Sequence, residues 1–332
     1  MAPEESSLDT EDRGGRTLGE LFQLYCQVRA LQPDTVRTYR LVCRRFEADQ
    51  RVRLLEEVTR DRLLGWRSQI LRRASPTTWN TYRRHLRALL RYAEEIGWIE
   101  ENPFRHVPTA PEPWNRKKRV SQTVLARALD TLGREGETLQ PRWFWRSVLI
   151  TFYYTGMRRR QLMHLVWRDY DSRRAALLLV SETSKTRKEW EIPVPRPVQQ
   201  EFVVLWQEAA RVLGAPPSGD RAIFDLPLFR PAPSRRQKYF AKTGLTGEQV
   251  SGFFRRLSDE LGESITAHRL RHTCASEIAG QHQPDLRGLQ QLLGHSSLVT
   301  TMQYVEPDLG QLHRLVDGLP DPRGSGGGRR RR

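Results

Sequence analysis

A phenol, two guanidinium groups and several imidazoles recur at fixed spacings in this chain. Three segments contain them: Thr155-Gly-Met-Arg158, His268-Arg-Leu-Arg271-His272, and Leu-Leu-Gly294-His295 followed by Tyr304 nine residues after His295. Guanidinium and imidazole groups bind phosphate oxygens, and a tyrosine hydroxyl can attack a phosphorus atom. The pattern therefore indicates a site that binds a phosphate while a phenol attacks it.

The chemistry of phosphodiesters explains why arginines are needed in such a site. A phosphodiester repels nucleophiles because it is itself anionic, so an enzyme without a metal must supply fixed cations and hydrogen-bond donors. Arg158 and Arg271 suit this task, because a planar guanidinium stays charged and can donate two parallel hydrogen bonds to one phosphate. Because the chain has 55 Lys and Arg residues, two arginines alone are weak evidence for a phosphate site. The motifs around them decide whether they are functional.

The composition favours a polyanionic partner. The 332 residues have a formal net charge of +16, in a chain with nine Trp and nine Tyr. Such an excess more often indicates a nucleic-acid partner than solubility alone. The three cysteines are widely separated and form no C-x-x-C pair, so neither a disulfide framework nor a thiolate zinc site is expected, and no metal or other cofactor is predicted.

The ends of the chain and its location are predicted from the same composition. The longest apolar runs are far too short for a membrane span, so no membrane partner and a cytoplasmic location are expected. Residues 1–16 are polar and lack apolar periodicity, which predicts a disordered N-terminus. Residues 320–332 end in four arginines after a glycine-rich stretch, which predicts a disordered basic tail.

The first third of the chain has a helical hydrophobic pattern. One helix is predicted to begin at Pro33-Asp34, and another after Ser75-Pro76, a typical N-cap and first-turn proline. Residues 18–28 and 54–71 complete a predicted bundle of four helices. Arginines occupy the polar faces of the first two, and six of them are candidate DNA-binding residues: Arg37, Arg40, Arg44, Arg83, Arg84 and Arg87. The alternative is that these arginines only form a solvent-exposed helix face and do not bind DNA.

The predicted domains follow from where these patterns stop. The helical domain covers 17–108 and ends soon after Asn102-Pro103, and 109–118 is a linker rich in proline and charge. The second domain covers 119–319. It begins with helical patterns, including the aromatic segment 143–154, which is expected to be core. Residues 175–180 and 190–194 predict two strands joined by the basic turn 181–188. The predicted fold is mainly α with a small β-sheet.

The motifs resemble those of the tyrosine recombinase (phage integrase) family. The segment from Thr155 to Asp169 is similar to its first catalytic box, commonly T-G-x-R-x-x-E-L-x-x-L-x-W-x-D, and the later segments are similar to H-x-L-R-H, L-G-H and the tyrosine nine residues on. The resemblance extends over about residues 17–315. It implies a helical core-binding (SAM-like) domain followed by an α+β catalytic domain, in a two-domain Xer-like plan. Gln161 replaces the usual Glu, and we expect altered supporting hydrogen bonds rather than lost activity.

The resemblance implies a site-specific DNA recombinase that integrates or excises a mobile element or performs a related strand exchange. Tyr304 would be the nucleophile, forming a 3′-phosphotyrosyl link and releasing a 5′-hydroxyl. Arg158 and Arg271 would bind the phosphate, His268 would accept the phenol proton, and His295 would donate to a phosphate oxygen.

Three further assignments come with the resemblance. Lys185, in the basic turn, is the candidate general acid for the leaving oxygen, and Lys188 is its competitor. His272, one helical turn beyond His268, is interpreted as structural. The apolar residues of 307–319 either cap their own domain or pass to a neighbouring protomer.

The partners implied are double-stranded DNA and a homotetramer on paired recombination sites, with a second recombinase or an accessory DNA-bending protein as additional partners. Two alternatives stay open. One is a non-catalytic DNA-binding regulator on the same scaffold. The other is a metal-dependent nuclease using His268, His272 and His295, although carboxylates at ligand spacing are missing from the sequence.

Overall fold

The computed structural model describes residues 15–113, 118–180, 189–230, 244–281, 284–305, 310, 313 and 316–319. The chain divides into two compact units, Met1–Asn115 and Arg116–Arg332. The described residues are mostly helical, with one three-stranded antiparallel sheet, which confirms the predicted mainly α fold with a small sheet. Within those ranges, every helix is too short or too polar to cross a membrane.

The first unit is a bundle of four α-helices. They are α1 (Leu18–Val28), α2 (Pro33–Gln50), α3 (Arg60–Arg73) and α4 (Pro76–Glu95). Ser75 caps α4 as predicted, since its Oγ accepts the Thr78 N–H at 3.3 Å. The predicted helix 54–71 was wrong at its start: Leu55–Glu57 is a separate 3₁₀ turn, because Thr59 caps α3 by accepting the Arg62 N–H.

The core of this unit centres on Trp66 of α3, which is completely buried. Its ring contacts Phe46 and Trp79 edge to face and stacks on Tyr82 at 5.6 Å between centroids. Its indole N–H donates to Oδ2 of Asp49 at 2.9 Å. The apolar stripes of α2, α3 and α4 therefore meet at one aromatic cluster, and their polar faces point outward.

The chain beyond α4 folds back on that helix. The Asn102 side chain donates to the Arg87 carbonyl at 3.2 Å and accepts the Phe104 N–H at 2.9 Å. Asn80 pairs with both backbone groups of Ala110, which is buried in the core of the first unit. The contacts of the first unit thus continue to Ala110, eight residues past Asn102.

The second unit surrounds its sheet with helices. In order they are α5 (Gln122–Gly133), α6 (Arg142–Thr155), α7 (Arg159–His164), β1 (Tyr170–Asp171), β2 (Ala176–Val180), β3 (Glu189–Pro193), α8 (Arg196–Leu213), α9 (Leu226–Phe229), α10 (Gly247–Leu261), α11 (Ala267–Ala279), α12 (Leu286–Leu293) and α13 (Leu298–Met302). Strands β2 and β3 pair antiparallel, with Leu177 opposite Ile192, as the two predicted strands required. Strand β1 was not predicted, because two residues are too few to show an alternating pattern.

Helix α6 forms the centre of the second unit and positions the turn that contains Arg158. Phe144, Trp145 and Phe152 are completely buried, and Trp145 stacks on Phe253 of α10 at 4.5 Å. Most of the aromatic segment is thus core, as predicted, whereas Tyr154 at its end is exposed. Helix α6 packs against α5, α8 and α11, so its C-terminal end at Gly156 is brought beside α11.

Candidate active site

Arg271 joins three segments that are distant in sequence. It lies on α11, whose N-cap Thr266 accepts the Arg269 N–H at 3.1 Å, and is only 5% exposed. Its Nη1 donates to the carbonyl of Gly156 at 2.6 Å, and its Nη2 donates to the carbonyl of Leu293 at 2.8 Å and lies 2.9 Å from Nε2 of His295. A buried guanidinium with these partners has a fixed orientation.

The turn after α6 brings Arg158 to the same place. Gly156 ends α6 in the left-handed region, with φ 58°, and a Cβ there would lie 3.2 Å from Leu293 and 3.3 Å from Sγ of Cys274. A glycine thus lets the turn approach α11 and α12 closely. Arg158 follows as the N-cap residue of α7 and is exposed. Its charge acts on both Arg271 and His295, as the pKa values of those residues show.

Gln161 supports the Arg158 turn. Its side chain is buried, and its Oε1 accepts the backbone N–H of Arg158 at 2.7 Å, which closes the first turn of α7. This interaction requires an oxygen acceptor and no negative charge, so an amide can make it as a carboxylate would. The neighbouring Arg159 points to α10, where its Nη1 donates to Ser251 at 2.7 Å.

Burial and like charge oppose protonation at this site. Burial, followed by the charge of Arg158, lowers the pKa of Arg271 to about 10, with Tyr304 acting in the opposite direction. Arg271 is therefore still charged at neutral pH. Burial, followed by the charges of Arg271 and Arg158, lowers the pKa of His295 to about 4, so that ring is neutral.

The hydrogen bonds of His295 define its tautomer. A guanidinium only donates, so Nε2 of His295 accepts from Arg271 and Nδ1 has the proton. Nδ1 then donates to Oγ1 of Thr301 at 2.9 Å. The sequence reasoning missed Thr301, which is completely buried. Its place one helical turn before Tyr304 was the available signal.

Tyr304 is buried against the histidines. It follows α13, is 6% exposed, and belongs to one small buried cluster with Leu289 and Leu293 of α12. It lies parallel to the His295 ring at 6.0 Å between centroids and 5.4 Å from the His272 ring. The predicted nucleophile, the two predicted phosphate-binding arginines and His295 are thus brought together.

His268 and His272 form a pair on α11. Their Nε2 atoms are 2.7 Å apart, a hydrogen-bond distance. His268 is exposed near the start of the helix, whereas His272 is buried and contacts Tyr304. The predicted proton acceptor is thus joined through His272 to the cluster around Tyr304.

Lys185 and its competitor Lys188 lie outside the described residues. The strands on either side are described, and Val180 of β2 pairs with Glu189 of β3. The next residue of β3, Trp190, packs against Gly294, where an added Cβ would lie 2.6 Å from Cη2 of the indole. The sheet therefore contacts the loop that contains His295.

The six arginines predicted to contact DNA differ in their surroundings. Five of them are exposed on α2 and α4: Arg37, Arg40, Arg44, Arg84 and Arg87. Arg83 is half-buried, and its Nε donates to the carbonyl of Val107 at 2.7 Å. Burial and then the charge of Arg87 lower the pKa of Arg83. Arg83 therefore stabilises the segment that follows α4.

Among the residues that the structure describes, His, Cys, Asp and Glu form no group of three suited to a metal ion. His268 and His272 bond to each other.

Comparison with known proteins gives one consistent result. The model of the phage integrase family matches residues 118–309. A XerC-type tyrosine recombinase of Pseudomonas syringae is 33% identical over 313 residues, which cover 91% of this chain and 64% of that protein. Tyrosine recombinase XerC of Chromohalobacter salexigens is 30% identical, with 69% of this chain and 70% of that protein covered. The chain thus spans less than two thirds of the Pseudomonas relative.

A solved structure shows the same fold. The Tn1549 transposon integrase, in complex with transposon right end DNA, superposes with a TM-score of 0.70 at 18% identity, over 90% of this chain and 99% of that one.

Proposed function

Because this chain belongs to the phage integrase family, as its motifs predicted, we propose that it is a site-specific DNA recombinase that cuts and rejoins DNA through a 3′-phosphotyrosyl intermediate. The observation that best supports this activity is the position of Arg271. One buried guanidinium bonds to the Arg158 turn and to His295, with Tyr304 packed beside them.

The two arginines supply the phosphate-binding groups. A guanidinium has five N–H groups, and three in Arg271 donate to Gly156, Leu293 and His295. Tyr304 also acts on Arg271 through a side-chain hydrogen bond, so the guanidinium contacts the predicted nucleophile as well. Arg158 adds a second charge on the exposed side. Donors fixed before the substrate arrives stabilise the extra negative charge of the transition state without reorganising.

The covalent step exchanges one phosphate ester for another. The Tyr304 oxygen forms a bond to phosphorus while the bond to the 5′-oxygen breaks. His268 accepts the phenol proton, and Lys185 gives a proton to the leaving oxygen. The number of ester bonds does not change, so the reverse reaction rejoins strands without ATP.

His295 has to change protonation to act as a donor to the phosphate. In the structure its Nε2 accepts from Arg271. An anionic phosphate beside the ring favours the protonated form and raises the pKa of His295. Binding of DNA should therefore be accompanied by proton uptake at this residue.

The substrate that fits this activity is double-stranded DNA, in integration or excision of a mobile element or a related exchange. The net charge of +16 supports a DNA partner, and the Tn1549 integrase was solved with transposon DNA. A homotetramer on paired sites, with a second recombinase or a DNA-bending protein in some settings, is the expected assembly. Because its substrate is DNA, the cytoplasm is the proposed location.

Covalent capture tests the activity without knowing the target sequence. Wild-type protein is incubated with a library of nicked duplexes that trap the intermediate, and complexes that resist detergent are recovered and sequenced. We expect adducts linked through Tyr304, identified by mass spectrometry. Tyr304→Phe should bind the selected DNA and form none. If wild-type protein binds a specific site yet forms no adduct, the non-catalytic regulator is the better description.

A further inference from the structure

Trp190 connects the sheet to the loop that presents His295. It lies on β3 opposite Leu179 of β2. A Cβ built on Gly294 would lie 2.6 Å from Cη2 and 2.8 Å from Cε2 of Trp190, closer than carbon atoms approach. The six-membered ring of the indole therefore rests directly on the backbone of Gly294. Glycine is needed at this position for the indole as well as for its φ of 60°.

Gly294 lies between two partners of Arg271. The carbonyl of Leu293 accepts from Nη2 of Arg271, and Nε2 of His295 lies 2.9 Å from the same nitrogen. A shift of the peptide units around Gly294 would therefore disturb both interactions together.

The shape of the indole, rather than its polar group, explains its presence. Nε1 of Trp190 is buried and has no hydrogen-bond partner among the described residues. A buried N–H without an acceptor costs free energy, and a purely apolar side chain would avoid that cost. Such a side chain would be shorter than the indole, whose far edge is the part that contacts Gly294.

We propose that Trp190 is a positioning residue for the cleavage reaction: its indole keeps the Leu293-Gly294-His295 turn in contact with Arg271. The kinetic part of this proposal rests on the proposed function. The structural part concerns the protein alone and is measured without DNA.

The pKa of His295 can be used to measure whether the Leu293-Gly294-His295 turn keeps its position. The groups that face its ring are Arg271 and Arg158, which oppose protonation, with Thr301 at Nδ1 and Tyr304 stacked on it. In Trp190→Ala the turn should loosen and admit water, so the pKa of His295 should rise from about 4 toward its usual value of 6.5. NMR of histidine-labelled protein follows this titration, with the signal assigned from His295→Gln.

A second tryptophan gives the matched control. Trp206 on α8 is 38% exposed and packs on Trp167. Trp206→Ala removes an indole from the same unit, so it should leave the titration of His295 as in the wild type.

Covalent cleavage tests the kinetic part. At saturating DNA, the rate of adduct formation in Trp190→Ala should fall at least ~10-fold, with DNA affinity within about two-fold of wild type, because positioning acts on the chemical step. Trp190→Phe should be intermediate, since it keeps an aromatic ring on β3 but does not reach Gly294.

A double-mutant cycle with Gly294→Ala tests the contact itself. The unfavourable φ affects Gly294→Ala in both backgrounds and cancels, which leaves the clash with the indole. Gly294→Ala should therefore reduce the adduct rate less in Trp190→Ala than in wild type.

Each outcome has a defined meaning. Additive effects in the cycle, or a folded Trp190→Ala with the wild-type titration of His295, would overturn the proposal. If Trp190→Ala does not fold, Trp190→Phe is judged by the same two criteria. If His295 responds as expected but no wild-type adduct forms on any DNA, the structural part of the proposal stands, while its kinetic part fails together with the proposed function.

Discussion

The exposed arginines of the first unit and the buried Arg271 of the second unit have opposite surroundings. In the first unit, Arg40, Arg44 and Arg84 are exposed on helix surfaces, where water screens each charge. In the second unit, Arg271 is almost completely buried, and burial, followed by the charge of Arg158, lowers its pKa to about 10. Helical periodicity is enough to place the exposed arginines, whereas Arg271 needs three separate segments around it. The comparison teaches that the number of charges indicates a polyanionic partner, and a buried charge held by several partners indicates chemistry.

Removal of Arg271 should have the largest effect. Arg271→Ala leaves the carbonyls of Gly156 and Leu293 without their donor, and the reaction without its fixed cation. We expect adduct formation to fall at least ~1000-fold and the free energy of unfolding to fall by about 2–4 kcal/mol. Trapping on nicked DNA and urea denaturation measure the two effects. Arg271→Lys should recover little, because an ammonium lacks the planar, forked donors.

Arg158 is the control for the role of burial. Arg158→Ala removes an exposed charge from the same site, so it should slow adduct formation strongly and change the free energy of unfolding by less than about 0.5 kcal/mol. Equal losses of stability in the two variants would contradict the contrast between buried and exposed arginines.

The protonation of His295 should affect acid stability to an intermediate degree. Its pKa is about 4 in the folded protein, against 6.5 for an ordinary histidine. At pH values between these two, the histidine is therefore protonated in the unfolded chain and neutral in the folded protein. Stability should therefore fall as the pH drops from 6.5 toward 4. The contribution is at most about 2 kcal/mol, because the ring is only partly buried.

His295→Gln should remove this contribution and flatten the loss of stability between neutral and acid pH. Urea denaturation at several pH values measures the slope. The exposed His106 provides the comparison, since His106→Gln should keep the wild-type slope. Identical slopes in wild type and both variants would show that His295 does not cause the loss of stability at acid pH.

The smallest effects should separate two neighbouring arginines of the first unit. Arg83 donates to the carbonyl of Val107, whereas Arg84 is exposed. Arg83→Ala should lower the free energy of unfolding by about 1 kcal/mol. Arg84→Ala should leave stability unchanged, weaken DNA binding several-fold and lower the salt dependence of binding by about one phosphate contact. Denaturation and binding at several salt concentrations measure both. If Arg83→Ala weakened DNA binding and Arg84→Ala lowered stability, the assignment of a structural role to Arg83 and a DNA-binding role to Arg84 would be wrong.

Much of the helical unit could be predicted from the sequence. The starts of α2 and α4 could be predicted from Pro33, Ser75 and Pro76, and the apolar stripes follow the helical period. The start of α3 was missed, because the apolar residues of 54–58 fit a helix by spacing but fold as a turn into the core. Likewise, spacing could not distinguish Arg83 from Arg84, since the acceptor of Arg83 is a backbone carbonyl 24 residues away.

The residues of the candidate site were predicted from motifs, but their relations were not. The motifs, through their resemblance to the family's catalytic boxes, selected Arg158, Arg271, His295 and Tyr304. They did not show that Nε2 of His295 accepts from Arg271, or that Trp190 rests on Gly294. These contacts join residues far apart in the chain, and no local pattern encodes them.

The sequence by itself determined which residue types are present and, through the helical period, where the apolar stripes of the helices in the first unit lie. It also determined family membership, because the motifs are specific in type and spacing. Only the tertiary structure decided which arginine is buried, which nitrogen of His295 has the proton, and where Trp190 packs. The physical reason is that desolvation and hydrogen bonding depend on distances between segments that come together only when the second unit folds.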